Sequence, residues 1–241
     1  MAFESMKNHM FSQSIMSTST EQKEALGTLR VLDDGRKFRY CKNGAVALIP
    51  AVCVMPPTGE ANHTNQAIPA AVAVGAKEMK ITLGATLATA DQYAGGYILI
   101  NDAAADVDRG HQYKIARHAA HAGGGDLTVY LDEPVIKAIP DTAEATLVPS
   151  MYRNVVVTTG VDTPAAGVTV CNVAANAYFW AQSGGEGAAL GDANTAAVGR
   201  MVTPGAAGVV RLAAGLNNHI IGVTRYATVN TDVYALLLQI D

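Results

Sequence analysis

Residues 95–134, with the sequence GGYILINDAAADVDRGHQYKIARHAAHAGGGDLTVYLDEP, decide the fold class of this chain. The pattern predicts three strands, separated by an acidic loop and by a triple-glycine turn. In the third strand, Leu127, Val129 and Leu131 alternate with more polar residues, as in a strand that buries one face. The first strand is apolar from residue 97 to residue 100, so we expect it to be covered on both faces. The stretch therefore predicts the middle of a sheet, with strands at 97–101, 111–118 and 127–132.

Outside this stretch the same kind of pattern continues to the end of the sequence. Short segments rich in Val, Ile and Tyr recur about every ten residues, separated by Gly, Pro, Asn and Asp, which is typical of a sandwich or a barrel. No segment has the pattern of a long amphipathic helix. We predict an all-β fold with sandwich- or barrel-type units and an extended N-terminal arm. The further strands are predicted at 77–83, 145–148, 154–159, 168–173, 178–182, 198–202, 209–212, 219–225 and 233–240.

The composition predicts modest cores and association with other copies. Of 241 residues, 49% are apolar but only 6% are aromatic, so most of the apolar content is alanine and valine. Small side chains bury little area each, so burying surface in a homo-oligomer would add much stability. We expect a flexible arm at 1–26 and two β domains at 27–149 and 150–241, with the boundary at Pro149 and Ser150.

The charge balance and the apolar runs exclude several classes of partner. A net charge of -4 argues against nucleic acid, whose binding proteins are usually basic. The longest apolar run, residues 45–55, is too short to span a bilayer and contains Pro50, and no secretory signal is expected at the N-terminus. The three cysteines, Cys41, Cys53 and Cys171, are odd in number and far apart, which favours free, buried thiols in a reducing compartment.

The segment 28–40 contains the clearest turn signal. Asp34 and Gly35 predict a two-residue type I′ turn, which would place Val31 opposite Phe38.

In the same register, Arg30 lies opposite Arg39 with Lys37 beside them, so like charges share one face of the hairpin. This face is either a solvated edge that discourages aggregation or the contact for an acidic partner. Arg30, Lys37 and Arg39 are our candidate partner contact.

The sequence matches the residue patterns of known metal sites poorly. The acidic loop with Asp102, Asp106 and Asp108 lacks the spacing and the final Glu of a calcium loop. His111, His118 and His121 would not converge on one zinc ion, since the first two fall on opposite faces of a strand. We expect no metal site and no cofactor.

Two further segments also lack the features of a catalytic or nucleotide-binding site. The glycine-rich residues 184–191 lack the spacing of a nucleotide-binding loop, and we interpret them as a wide hairpin loop. Asp132 and Glu133 are neighbours on a strand, so their side chains diverge and do not form a catalytic carboxylate pair. We expect no enzymatic activity.

Trp180, the only tryptophan, lies in the aromatic triplet Tyr178, Phe179 and Trp180. We interpret them as anchors of a core or of a subunit contact, because large aromatic residues dominate burial energetics. The alternative is a sugar-stacking platform, with Trp180 and Asp132 serving a glycan-binding β protein.

Several segments together resemble a family of tailed-bacteriophage virion proteins, similar to capsid decoration or cement proteins. They are DGRKFRYCKNG (34–44), AAVAVGAKEMKITLG (70–84), DQYAGGYILIND (91–102), GHQYKIARH (110–118), LTVYLDEPV (127–135), RNVVVTT (153–159) and YFWAQSGG (178–185). The resemblance implies a homotrimer, made in the host cytoplasm, that binds the major capsid protein on the exterior of the virion. A phage tail or fibre component is the alternative within virion proteins.

Overall fold

The computed structural model describes residues 11–102, 109–192, 194–215, 218–227 and 233–241. The chain divides into two compact units. The terminal unit combines the chain up to Met55 with Asn154–Asp241, and the inserted unit is Pro56–Arg153. This division differs from the predicted domains at 27–149 and 150–241. The early hairpin belongs with the C-terminal strands because long-range strand pairing, which local sequence does not reveal, joins them.

The described residues form sixteen strands and a 3-10 helix at Ala61–His63, and every strand pair is antiparallel, so the predicted all-β class is confirmed. Among these residues, no helix has the length and apolar character needed to cross a bilayer. In chain order the strands are β1 Leu29–Val31, β2 Lys37–Lys42, β3 Cys53–Met55, β4 Gln66–Ala67, β5 Glu78–Thr82, β6 Tyr97–Asp102, β7 Gln112–His118, β8 Asp126–Leu131, β9 Glu144–Val148, β10 Val156–Val157, β11 Gly167–Thr169, β12 Tyr178–Leu190, β13 Met201–Pro204, β14 Val210–Leu212, β15 Gly222–Thr224 and β16 Val233–Gln239.

The inserted unit is one six-stranded sheet in the order β4-β9-β6-β7-β8-β5. The end strands β4 and β5 contact each other, so the sheet curls into a nearly closed barrel. The stretch at residues 95–134 supplies its central strands, as predicted. The expectation that β6 is covered on both faces is wrong: Ile98 and Ile100 are fully buried, but Tyr97 is 38% exposed. A strand of a barrel buries only the face that points inward, so even a strand of apolar residues alternates between buried and exposed side chains.

The terminal unit is a ten-stranded sheet organised around β12, its longest strand. The first half of β12 pairs with β2 on one edge and with β11 on the other, while the second half pairs with β16. Trp180 packs in one cluster with Phe38 and Tyr40 from β2. Tyr234, Leu236 and other side chains of β16 form a second cluster beneath the later strands.

The glycine-rich residues 184–191 are not the hairpin loop that we expected but lie almost entirely within β12. Gly184 pairs with both Lys37 and Gln239, next to a bulge after Gln182. A Cβ on Gly191 would lie 2.3 Å from the Tyr234 ring. The glycines therefore allow close approach of neighbouring groups, a role that only the folded sheet reveals.

The hairpin register also differs from the prediction. Arg30 lies opposite Phe38 and Val31 opposite Lys37, one residue away from the predicted pairing. The amide of Gly35 donates to the carbonyl of Leu32, and Gly35 has φ +84°. The loop thus has three residues and a left-handed glycine, which Asp-Gly allows as readily as a type I′ turn.

The tight packing of β15 gives a test of the fold. A Cβ on Gly222 would lie 2.3 Å from the carbonyl oxygen of Leu237, a backbone atom that cannot move aside. Gly222→Ala should therefore lower the free energy of unfolding by about 1–3 kcal/mol, measured by urea denaturation. Gly160→Ala is the matched control, since no atom lies within 4 Å of its Cβ position. Equal unfolding midpoints for the two variants would contradict the described pairing of β15 with β16.

Candidate functional site

Each unit holds two loops that face each other through backbone hydrogen bonds, and we call such a pair a paired turn. The terminal paired turn comprises residues 44–51 and 169–176, and the inserted paired turn comprises residues 68–76 and 135–143. In the first, Leu48 and Val173 exchange two N–H···O bonds of 2.8 and 2.9 Å. In the second, Val72 and Ile139 do the same, also at 2.8 and 2.9 Å.

A left-handed residue closes each paired turn three positions after the bridged residue. In the terminal paired turn, the N–H of Asn176, with φ 59°, donates to the carbonyl of Gly44 at 2.8 Å. In the inserted paired turn, the N–H of Gly75, with φ 88°, donates to the carbonyl of Val135 at 2.7 Å. In both cases the acceptor lies four residues before the bridged residue of the facing loop. The two units thus use the same hydrogen-bonded device.

The terminal paired turn has further support from inside the unit. The side chain of Asn43 is fully buried, and its amide donates to the carbonyls of Val46 and Ala174 at 2.8 and 2.9 Å. On the other side, Ala51, with φ 65°, donates its N–H to the carbonyl of Thr169. These bonds fix the backbone of both loops.

Aliphatic side chains project from these fixed loops into solvent. Val46 and Ile49 are 74% and 56% exposed in the terminal paired turn, and Val74 and Ile136 are 64% and 71% exposed in the inserted one. Full burial of one such side chain contributes about 1.5–3 kcal/mol. Each paired turn therefore presents two aliphatic side chains on rigid backbone, and grouped exposed apolar residues are typical of binding surfaces.

The same turn recurs elsewhere, once beside a further exchanged pair of backbone bonds, between Ala88 and His121 at 2.8 Å in each direction. Asp91, with φ 56°, donates its N–H to the carbonyl of His118, and Gly199, with φ 75°, donates to that of Thr224. Leu87 and Val198 beside these turns are 55% and 62% exposed.

Sequence reasoning missed all of these turns. A signal exists, because LIPA (48–51), VAVG (72–75), ATAD (88–91), VAAN (173–176) and AAVG (196–199) each precede a strand by a few residues.

The predicted basic contact face is not formed. Arg30 shares a hairpin face with the buried Phe38, and its guanidinium lies 5.0 Å from the ring centre of Phe11. Lys37 and Arg39 lie on the other face. The correction follows from the shifted register, since a one-residue slip moves a side chain to the opposite face.

Lys37 and Arg39 interact within the chain. Arg39 Nε lies 2.7 Å from a carboxylate oxygen of Asp241, and Lys37 Nζ donates to the backbone oxygen of the same residue. The half-buried pair holds the pKa of the Asp241 carboxyl below its usual value, although burial acts in the opposite direction.

The described part of the predicted flexible arm, residues 11–26, is packed against this chain. Gln13 is 5% exposed; its amide donates to the carbonyls of Ser17 and Tyr178 and accepts the hydroxyl hydrogen of Tyr40 at 2.7 Å. The backbone oxygen of Gln13 also accepts from Trp180 Nε1. The buried amide of Gln13 has a hydrogen-bond partner for each of its polar groups, and these bonds hold the segment in place.

The aromatic triplet lies at this contact. Phe179 and Trp180 are fully buried, and Tyr178 is half-buried, with its ring stacked 6.1 Å from that of Tyr40. A sugar-stacking platform needs an exposed aromatic face, so the buried indole of Trp180 is unsuited to that role. Asp132 lies in the inserted unit, 3.4 Å from Lys114 Nζ.

The three predicted histidines are used separately. His111 contacts Tyr113, His121 accepts the N–H of Gly123, and His118 belongs to a buried network described below. Within the described ranges, no three His, Cys, Asp or Glu side chains are grouped to hold a metal ion. Asp106 and Asp108 of the acidic loop lie outside the described residues.

The cysteines are free thiols, and Cys41 and Cys53 are fully buried. Burial raises the pKa of the Cys53 thiol to about 12 and raises that of Cys41 further. Both thiols therefore stay protonated at neutral pH, which suits apolar core residues and not nucleophiles.

The inserted unit contains a buried network of His63, Tyr93 and His118. The Tyr93 hydroxyl lies 2.6 Å from His63 Nδ1, and His63 Nε2 lies 3.0 Å from the carbonyl of Thr86. The backbone N–H of Tyr93 donates to His118 Nε2 at 3.0 Å, and His118 Nδ1 faces the carbonyl of Ala119. His118 thus has Nδ1 beside a carbonyl and Nε2 accepting a backbone N–H, an arrangement that requires a neutral imidazole.

Comparisons with protein-family models, with curated proteins and with solved structures found no match for this chain.

The packing of residues 11–26 can be tested through Gln13. Gln13→Ala removes the acceptor of the buried Tyr40 hydroxyl and should cost about 1–3 kcal/mol of unfolding free energy. Trypsin cleavage after the exposed Lys23 should become faster. Gln22→Ala is the control, because the Gln22 amide is exposed and donates to the nearby carbonyl of Glu24, within the same segment. Equal cleavage rates in both variants would show that this segment is not held by Gln13.

The His118 network predicts a pH dependence of stability. Burial lowers the pKa of His118 below its ordinary value of 6.5. The unfolded chain therefore binds a proton at higher pH than the folded chain, so the stabilisation is complete above about pH 6.5 and decreases as the pH falls below it. Thermal unfolding between pH 8 and pH 5 should show this loss, measured by circular dichroism.

His118→Gln should reduce that pH dependence, because the Gln carbonyl can accept the Tyr93 N–H without titrating. The exposed His219, changed to Gln, is the control and should leave the pH dependence as in the parent protein. If both variants respond to pH alike, His118 does not control the acid sensitivity.

Proposed function

We propose that this chain is a non-enzymatic structural protein of a tailed-bacteriophage head. In this role it binds the outer surface of the major capsid lattice and stabilises the head. The segments that resemble phage decoration proteins, such as LTVYLDEPV at 127–135, support the proposal. The same resemblance supports a homotrimer, which analytical ultracentrifugation would measure.

One structural observation carries the proposal: aliphatic side chains stand exposed on hydrogen-bonded paired turns in both units. Rigid loops lose little conformational entropy when they bind, so most of the hydrophobic gain is kept as affinity. A repeating protein surface with apolar depressions suits such projections. The proposed contact residues are therefore Val46, Ile49, Val74 and Ile136, which replace the basic residues chosen from the sequence.

Binding to heads should depend on these four side chains. The double variants Val46→Ser with Ile49→Ser, and Val74→Ser with Ile136→Ser, should each weaken binding by at least about tenfold, the equivalent of 1.4 kcal/mol. Their thermal stability should stay close to that of the parent, because the side chains are exposed. Cosedimentation with empty heads of the phage whose genome encodes this chain measures the binding.

The control is the double variant Val31→Ser with Met201→Ser, which removes two aliphatic side chains, 56% and 58% exposed, outside the paired turns. It should bind as the parent does. If all three double variants bind equally well, the paired turns are not the contact. If the parent chain does not sediment with heads, or is found on tails in a few copies per particle, the head assignment is wrong.

A further inference from the structure

The terminal unit carries an open groove of about 530 Å³ beside the second half of β12. Gly187 and Ala188 of β12 and Ala235 of β16 line it, so small residues leave space above the sheet. Pro50 and Ala51, at the end of the terminal paired turn, line another side. The volume falls in the range of about 300–1,000 Å³ that is usual for small-molecule sites.

Three charged side chains line the groove, Arg36, Glu186 and Arg225, and each is already paired with an oppositely charged side chain. Arg225 Nη2 lies 2.6 Å from a carboxylate oxygen of Glu186, and the two side chains are 49% and 67% exposed. Arg36 pairs in the same way with Asp34 at 2.7 Å. An anionic ligand would meet the Glu186 carboxylate and a cationic ligand would meet two guanidinium groups, whereas the hydroxyls of a neutral ligand can use these donors and acceptors alike.

An aromatic ring completes the lining. Tyr226 is 65% exposed and follows Arg225 directly, with its ring centre 5.8 Å from that guanidinium. A large exposed aromatic residue next to polar groups combines an apolar face with hydrogen-bonding neighbours. A pyranose ring has the matching chemistry, since one face presents C–H groups while its edge carries hydroxyls that both donate and accept.

We propose that this groove binds a neutral saccharide of one or two pyranose rings. The sugar face packs on Tyr226, and the hydroxyls bond to the exposed Glu186 and Arg225. The site uses neither Trp180 nor Asp132. It shares Pro50 and Ala51 with the terminal paired turn but none of the four side chains of the proposed contact with heads. It gives the protein a second, carbohydrate-binding function.

Isothermal titration of the full chain with maltose, cellobiose, lactose and N,N′-diacetylchitobiose tests the proposal. At least one disaccharide should bind, with an affinity of about millimolar or tighter. Tyr226→Ala removes the stacking face, and Ala188→Leu fills the space over the sheet without changing a polar group. Both should weaken binding by at least about tenfold.

The control is Tyr97→Ala, which removes an exposed tyrosine from the inserted unit and should bind the sugar as the parent does. Circular dichroism of each variant confirms that the fold is retained. Failure of all four disaccharides to bind, or equal binding by Tyr226→Ala and the parent, would overturn the proposal. Head cosedimentation by Tyr226→Ala is a separate readout and should be unchanged, so failure of this inference is distinguishable from failure of the proposed function.

Discussion

The left-handed residues that close the turns are the constraint on which both units depend. Ala51, Asp91 and Asn176 adopt positive φ although they carry a Cβ, which costs about 1–2 kcal/mol per residue. Each directs its backbone N–H onto a carbonyl of the facing loop or strand. Because the bond and the buried apolar residue three positions earlier hold the turn, the residues at its tip do not have to stabilise the fold. That freedom is what allows Val46 or Ile49 to be exposed.

Local patterns were sufficient to locate five of the six strands of the inserted unit, all except β4. In β5, β7 and β8 the alternation of apolar and polar residues is a property of the strand itself, and Met79, Ile115 and Val129 are buried as their period requires. The turn at Asp34 and Gly35 shows the limit of prediction from local sequence patterns. The same dipeptide fits a two-residue and a three-residue loop, and the choice moves Arg30 from a solvated face to one that packs against Phe11.

The order in which the strands of the terminal unit pair could not be predicted, because it depends on partners far away in the chain. Cys53 pairs with Val168, so the order of strands is set by contacts that no local window contains. The glycines of β12 have the composition of a loop, and their strand geometry is decided by Lys37 and Gln239 on either side. The candidate site has the same origin: the short motif before each strand is visible in the sequence, but the facing loop that makes it rigid is not.

The small side chains that limit the cores also shape the surface. Alanine and glycine in β12 and β16 leave the groove open, and the same residue types in the paired turns let two loops approach closely enough to exchange backbone bonds. Backbone hydrogen bonds therefore hold these loops together, while the larger aliphatic residues Val74 and Ile136 are exposed to solvent. A sequence that only stabilised a monomer would place them inside, since each contributes about 1.5–3 kcal/mol when buried. In the contact that we propose with a head surface, this burial would be gained on binding.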